Sequence, residues 1–232
     1  MKTNNCLTIK DLCFAYGHND ALRHISLEIP FGCTVCLIAA NGSGKTTLLK
    51  ALAGLLQPCT GEIIICDEAD TWKTKSFVAF HSNNPYYQKN QTIASIVRLY
   101  SRLFPRFDPD KAAELLNRFE FNNHSNIADL SKGKRALALL IMNLSIDAKL
   151  YLLDEPFGSI DISTRTRMKD LLLDSTSEEK VYVISTHELF DMEMLFDEIV
   201  FLKEGRVVES GGADDMRIKY GTSLTNIARK VI

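Results

Sequence analysis

Apolar and polar residues alternate through LTIKDLCF (7–14) and again through ISLEI (25–29), the period-two pattern of strands with one buried face. Together these segments predict a short antiparallel region. Pro30-Phe31-Gly32 then turns the chain into the segment TVCLIA (34–39), which reads as a buried strand. A glycine-rich loop follows at once. Beyond it Leu48, Leu49, Leu52, Leu55 and Leu56 recur at helical spacing and predict one apolar helix face. Gly61 opens another strand over EIIIC, and SFVAF gives a further one.

From about 84 to 130 the texture changes to helices and polar turns. Asp108-Pro109 is a helix start: the aspartate can cap free N–H groups, and proline fits the first helical position. KAAELLNRF continues with helical spacing. This stretch, about 84–133, reads as a helical lobe inserted into one α/β domain that spans 1–232. After Ser131 come a helix, the strand LYLLD, a helix near 162–174 and the strand VYVIS. The segment 200–208 reads as a hairpin turning at Glu204-Gly205, and the tail, about 213–232, as helical.

Composition narrows the class. Hydrophobic residues make up 46% and charged residues 24%, which are globular values. With 27 basic and 29 acidic residues the net charge is -2, so the basic excess of a nucleic-acid binder is missing and no nucleic-acid partner is expected. No apolar run approaches the ~20 residues that span a bilayer, and the first residues lack a signal-peptide pattern; a cytoplasmic protein is expected. All six cysteines fall between Cys6 and Cys66. Cys33 and Cys36 form a C-x-x-C, but residues three apart on a strand point to opposite faces, so the pair reads as packing rather than as a redox or zinc site.

Three segments carry chemistry. The first, Ala39-Ala40-Asn41-Gly42-Ser43-Gly44-Lys45-Thr46-Thr47, departs from the phosphate-binding loop pattern G-x-x-x-x-G-K-[ST] only by Ala39 at the first glycine. Its glycines let backbone N–H groups close around phosphate oxygens, and the following helix points its positive end at the same anion. Lys45 supplies a charge for the β- and γ-phosphates and Thr46 a hydroxyl for Mg²⁺. The second is the apolar strand ending in Asp154-Glu155: Asp154 is positioned to hold Mg²⁺ through water and Glu155 to polarise an attacking water. In the third, the strand before His187 delivers that imidazole to the same sheet edge, where it can bond a γ-phosphate.

The order of these motifs, with Leu130-Ser131-Lys132-Gly133-Lys134-Arg135 and Ser159-Ile160-Asp161 between them, resembles the ABC ATPase family over essentially the whole chain. LSKGK is similar to that family's LSGGQ signature, with lysine at its first glycine and at its glutamine. The resemblance implies an α/β P-loop NTPase core with an antiparallel β edge and an inserted helical lobe. It implies two copies, as homodimer or heterodimer, closing head to tail on ATP and Mg²⁺. Ser131 and Gly133 would then bind the γ-phosphate held by the opposing subunit, Asp161 would communicate across the dimer, and Tyr16 would stack on adenine. The glutamine that senses metal and membrane partner in the family matches Asn83, one methylene shorter, with His81 as the rival. The chain would be the ATPase of a transporter, held at the cytoplasmic face of the membrane by a separate permease. The segment 82–96, the LSKGKR variant and the tail resemble the exporter-type branch. An ABC ATPase acting on nucleic acid or ribosomes, a small-molecule P-loop kinase and a non-hydrolysing regulatory subunit are the alternatives; the first usually adds coiled coils or zinc insertions, and the second lacks the signature.

Overall fold

The computed structural model describes residues 5–82, 87–88, 90–158, 160–187, 189 and 192–232. Strands β1 (Asn5–Tyr16) and β2 (Asn19–Pro30) form the expected antiparallel hairpin, and β4 (Thr60–Ile65) pairs with the other edge of β1. The larger sheet has the order β5-β6-β7-β3-β8-β9, from β3 (Thr34–Ile38), β5 (Val78–His81), β6 (Leu150–Asp154), β7 (Val181–Thr186), β8 (Glu198–Lys203) and β9 (Arg206–Gly212). Its first five strands run parallel, and β9 closes the edge as the antiparallel arm of a hairpin turning at Glu204-Gly205.

The central strands are buried on both sides, and alternation sorts their side chains into two cores. Cys36, Ile38, Tyr151, Leu153, Tyr182 and Ile184 face one, while Val35, Leu37, Leu150, Leu152, Val181 and Val183 face the other. The second core is completed by the antiparallel sheet and by α1 (Lys45–Leu52). The first is completed by α3 (Ile93–Leu103), α4 (Pro109–Arg118), α5 (Lys132–Leu144) and α6 (Ile162–Ser175), with α7 (Ala213–Tyr220) and α8 (Leu224–Val231). A short α2 (Thr71–Thr74) precedes β5. The Cys33–Cys36 reading agrees with this partition: Cys36 lies in one core and Cys33 packs against the other.

Between β5 and β6 the described chain is helical. Asp108 accepts hydrogen bonds from the N–H groups of Asp110 and Lys111, with Pro109 at the first position, as its sequence predicts. One expectation is corrected. Helix α1 stops at Leu52, because Gly54 (φ 66) takes the left-handed conformation and its N–H bonds Ala51 O, while Leu55 N–H bonds Lys50 O. That is a Schellman stop, and it leaves Leu55 59% exposed although its spacing fitted the helix. Beyond β9 the chain forms α7 and α8, divided at Gly221 (φ 61).

Candidate functional site

The parallel register decides which residues meet. Ile38 of β3 pairs with Thr186 of β7, and Asp154 of β6 pairs with Ser185 of β7. The three strands therefore end side by side, and the loop 39–44, Asp154-Glu155 and His187 leave the sheet at one carboxyl edge, where open α/β sheets hold ligands.

The loop is shaped by two left-handed glycines, Gly42 (φ 80) and Gly44 (φ 103). At Gly44 a Cβ would stand 2.7 Å from Ala21 O, so only glycine fits between the loop and the β1–β2 hairpin. Gly205 N–H, from the β8–β9 turn, braces the loop from another side by donating to Ser43 O at 3.1 Å. Ala39 is 1% exposed and is not among the residues with positive φ, so alanine needs no left-handed backbone there. The first α1 hydrogen bond runs from Leu48 N–H to Gly44 O, which leaves the N–H groups of Lys45, Thr46 and Thr47 for an anion at the helix start. Asn41 and Gly42 are exposed on the loop.

Lys45, 6% exposed, donates to Ala39 O at 2.6 Å and Ala40 O at 3.2 Å, and its ammonium lies 3.7 Å from Glu155 Oε1. Burial pulls its pKa below the ordinary lysine value, and the charges of Glu155 and Asp154 oppose that shift. Thr46 Oγ1 donates to Asp154 Oδ2 at 2.8 Å. The other oxygen, Asp154 Oδ1, accepts from Ser185 Oγ at 2.7 Å. Ser185 Oγ in turn accepts from Glu155 N–H at 2.9 Å. Glu155 Oε2 lies 3.1 Å from His187 Nδ1, so the carboxylate sits between a lysine and an imidazole.

The set brings a buried ammonium, two carboxylates, a hydroxyl and an imidazole to one sheet edge. It offers a hydroxyl and a carboxylate, hard oxygen donors that suit Mg²⁺. Among the described residues no three His, Cys, Asp or Glu side chains gather as a metal cluster.

Ser131 and Gly133 form a second group. Ser131 caps α5, its Oγ accepting from Lys134 N–H at 3.2 Å. Gly133 lies against the start of α6, where a Cβ would meet Thr164 Oγ1 at 2.9 Å and Asp161 Oδ2 at 3.0 Å. Asp161 caps α6 through Thr164 N–H and Oγ1, and these bonds hold its carboxyl below the usual range. Among the described residues no hydrogen bond or ion pair joins Ser131, Gly133 or Asp161 to Lys45, Thr46, Asp154 or Glu155. Lys132 and Lys134 are exposed at the same helix start. Tyr16, 52% exposed, ends β1 and stands edge-on to Phe14 at 4.9 Å. Asn83 lies outside the described residues. Its rival His81 is a strand residue rather than a loop residue: it ends β5, is buried, and burial lowers its pKa to about 4.

Two contributors carried no role in the sequence reading. Ser185 was visible only as the start of Ser-Thr-His. Arg135 donates to Ile127 O, Ala128 O and Leu130 O at 3.2, 3.2 and 2.9 Å, and to Tyr87 Oη at 2.6 Å, so it shapes the turn before Ser131.

The profile of the family described as ABC transporter matches residues 22–158. A probable metal transport system ATP-binding protein of Chlamydia trachomatis is 30% identical over 234 residues, covering 94% of this chain and 90% of the relative. A sulfate/thiosulfate import ATP-binding protein, CysA, of Mesostigma viride is 32% identical over 218 residues, covering 90% and 63%. A solved structure described as the ATP-binding subunit of an ABC transporter superposes with a TM-score of 0.87 at 26% identity, covering 97% of this chain and 99% of that one.

Proposed function

The chain belongs to the ABC transporter family as an ATP-binding subunit, and from that premise we propose that it hydrolyses ATP with Mg²⁺ to drive transport through a separate membrane permease. The observation that carries the proposal is the convergence of Lys45, Thr46, Asp154, Glu155 and His187 at one sheet edge, with Glu155 between the ammonium and the imidazole. A bare adenine-nucleotide binder has no use for a carboxylate placed there.

In this reading the N–H groups around Gly42–Thr47 and the Lys45 ammonium take the triphosphate, and Lys45 exchanges two carbonyl acceptors for phosphate oxygens. Thr46 and Asp154 would hold Mg²⁺, which when bound supplies charge neutralisation across the β- and γ-phosphates. Glu155 orients a water and accepts its proton. His187 steadies that carboxylate through Nδ1 and faces the γ-phosphate position. Such positioning and electrostatic terms supply most of the catalysis of phosphoryl transfer. Tyr16, exposed at the hairpin tip, offers a ring face to adenine.

Two copies, identical or paired with a related chain, close on ATP, and Ser131 and Gly133 at the start of α5 meet the nucleotide of the opposing copy. Support comes from the Ser131 cap and from Lys132 and Lys134, exposed at the same helix start. Asp161, which caps α6 through Thr164 beside Gly133, would report across the dimer in this reading. The helical stretch 84–133 and the tail 213–232 act as a lobe and a terminal brace on the core. Among the described residues no helix is long and apolar enough to cross a membrane, and in this reading the subunit works at the cytoplasmic face, held there by the permease. The exporter-like segments favour export; the likeness to CysA, named for import, gives that direction no support of its own.

The test is phosphate release from ATP without an acceptor, for the wild type and Glu155→Gln. The wild type should turn over with Mg²⁺. The variant should keep ATP binding, lose about 100-fold or more in rate, and accumulate a dimer in gel filtration. A variant that hydrolyses ATP at the wild-type rate overturns the assignment of Glu155.

A further inference from the structure

The cysteines that meet in space are not the C-x-x-C pair but Cys6 and Cys66, sixty positions apart. Cys6 lies at the start of β1 and is fully buried, while Cys66 follows the last residue of β4 and is half-buried. Leu7 and Ile65 are paired across the two strands, and Cys66 N–H donates to Cys6 O at 2.8 Å, extending the ladder by one step. Their sulfurs stand 4.0 Å apart on the same side of the sheet. Cys66 is the first residue of the turn after β4, with a left-handed φ of 53, and this N–H···O bond holds it beside Cys6.

The geometry points to Cys6–Cys66 as a thiol–disulfide exchange site for low-molecular-weight disulfides of the glutathione class, with Cys66 as the attacking thiol and Cys6 as the resolving one. This inference stands on the β1–β4 edge and is independent of the nucleotide site.

The two thiols are electrostatically unequal. The hydrogen bond from Cys6 and the nearby Lys149 charge lower the Cys66 pKa, against burial and Asp67. Cys6 is pushed far up by its bond to Cys66 and by burial, and its Sγ also lies 3.8 Å from Lys149 O. Exposure and thiolate character therefore fall on the same residue, the combination that exchange requires. In the first step the Cys66 thiolate attacks one sulfur of the external disulfide, forms a mixed disulfide and releases one thiolate. Cys6 then loses its proton to that thiolate or to water, and its sulfur attacks Cys66 Sγ and expels the second thiolate. The protein loses two hydrogens, and the external disulfide is reduced to two thiols.

The other four cysteines act as internal controls. Cys59 N–H bonds Cys13 O just ahead of β4, but the Cys13 sulfur is taken up by Asp11 O and His24 N–H. Cys33 and Cys36 face opposite cores, and burial raises both pKa values.

The experiment equilibrates the full chain in glutathione buffers of rising oxidised fraction, followed by alkylation and a non-reducing peptide map. Expected is a single linkage joining the Cys6 and Cys66 peptides, reversed by dithiothreitol, and alkylation of Cys66 several-fold faster at neutral pH than that of exposed Cys59. Cys6→Ser should accumulate a glutathione adduct on Cys66, and Cys66→Ser should form neither adduct nor linkage. If Cys6→Ser does not fold, the wild-type map and Cys66→Ser decide the matter. Absence of the Cys6–Cys66 linkage at every buffer ratio, or preferential linkage of Cys13–Cys59 or Cys33–Cys36, overturns the proposal.

Discussion

Ser185 Oγ donates to Asp154 Oδ1 at 2.7 Å and accepts from Glu155 N–H at 2.9 Å, so one buried hydroxyl on β7 fixes the carboxylate residue that ends β6 and the one that follows it. Glu155 needs that hold, because its φ of 46 is left-handed and unfavourable for a residue with a side chain. Ser185→Ala removes a hydrogen bond to a charged group, worth about 1.5–3 kcal/mol. ATP turnover should fall roughly ten- to hundredfold and the Mg²⁺ concentration for half-maximal rate should rise, with ATP binding nearly unchanged. Ser185→Thr, which keeps the hydroxyl, should recover most of the rate. A Mg²⁺ titration of the three proteins checks this, and identical half-saturation for wild type and Ser185→Ala would remove the positioning role.

Ala39 and Gly44 stand at opposite ends of the phosphate loop and should respond oppositely. Ala39→Gly changes a buried position that has no positive φ, so nucleotide affinity should stay within about threefold of wild type, with only the modest loss of stability that added backbone freedom brings. Gly44→Ala must place a methyl group against Ala21 O at a φ of 103, and the loop has to move. Fluorescent-nucleotide titration should show affinity reduced by about a hundredfold or more, a loss of at least ~2.7 kcal/mol. Equal affinities for the two variants would contradict the described loop.

How much of this was readable beforehand depended on how local the cause was. The strands 34–38 and 150–154 announce themselves because their burial is written in consecutive apolar residues, and the meeting of Lys45, Asp154 and His187 follows from parallel strands sharing a carboxyl edge. The end of α1 was not legible: Leu55 and Leu56 keep the helical spacing, and only the Gly54 reversal takes Leu55 out to solvent. SFVAF starts late for a similar reason, since Ser76 and Phe77 form a 3₁₀ turn before β5 begins. Ser185 and Arg135 act across the fold on atoms far away in sequence, and no spacing rule marks such a residue. The cysteines make the same point: a short interval drew attention to Cys33 and Cys36, while the ladder between β1 and β4 joins Cys6 to Cys66.

Glu193 fastens the start of α8, accepting from Thr225 N–H at 2.8 Å, Thr225 Oγ1 at 2.5 Å and Leu224 N–H at 3.1 Å. Burial alone would raise its pKa, but these bonds and the Arg217 charge outweigh that and lower it below the ordinary 4.5. A carboxyl depressed in the folded state contributes stability that is present above its unfolded pKa and lost as pH falls through the folded value. Stability should therefore decline from about pH 4.5 downward partly through this group, and Glu193→Gln should flatten that acid limb while costing about 1–2 kcal/mol at neutral pH. Urea midpoints for both proteins at neutral and acid pH test the sign. A variant with an unchanged acid slope shows that other carboxylates govern it.

Arg135 makes a prediction that separates the signature turn from the lysine site. Its guanidinium serves the carbonyls of Ile127, Ala128 and Leu130 at once and lies over the Tyr87 ring at 5.2 Å. A lysine ammonium is a point donor on a flexible stem and cannot reproduce that fork, so even Arg135→Lys should loosen the turn that carries Ser131. None of these contacts touches Lys45, Thr46 or Asp154, and ATP affinity of the monomer should remain within about twofold. If Ser131 acts on the nucleotide of the opposing copy, turnover should drop by about tenfold, equivalent to ~1.4 kcal/mol in the barrier, and dimer formation by Glu155→Gln should weaken in the combined variant. Nucleotide titration, phosphate release and gel filtration together read the three quantities. Full turnover in Arg135→Lys, with the dimer intact, would mean that the turn before α5 has no part in closing the site.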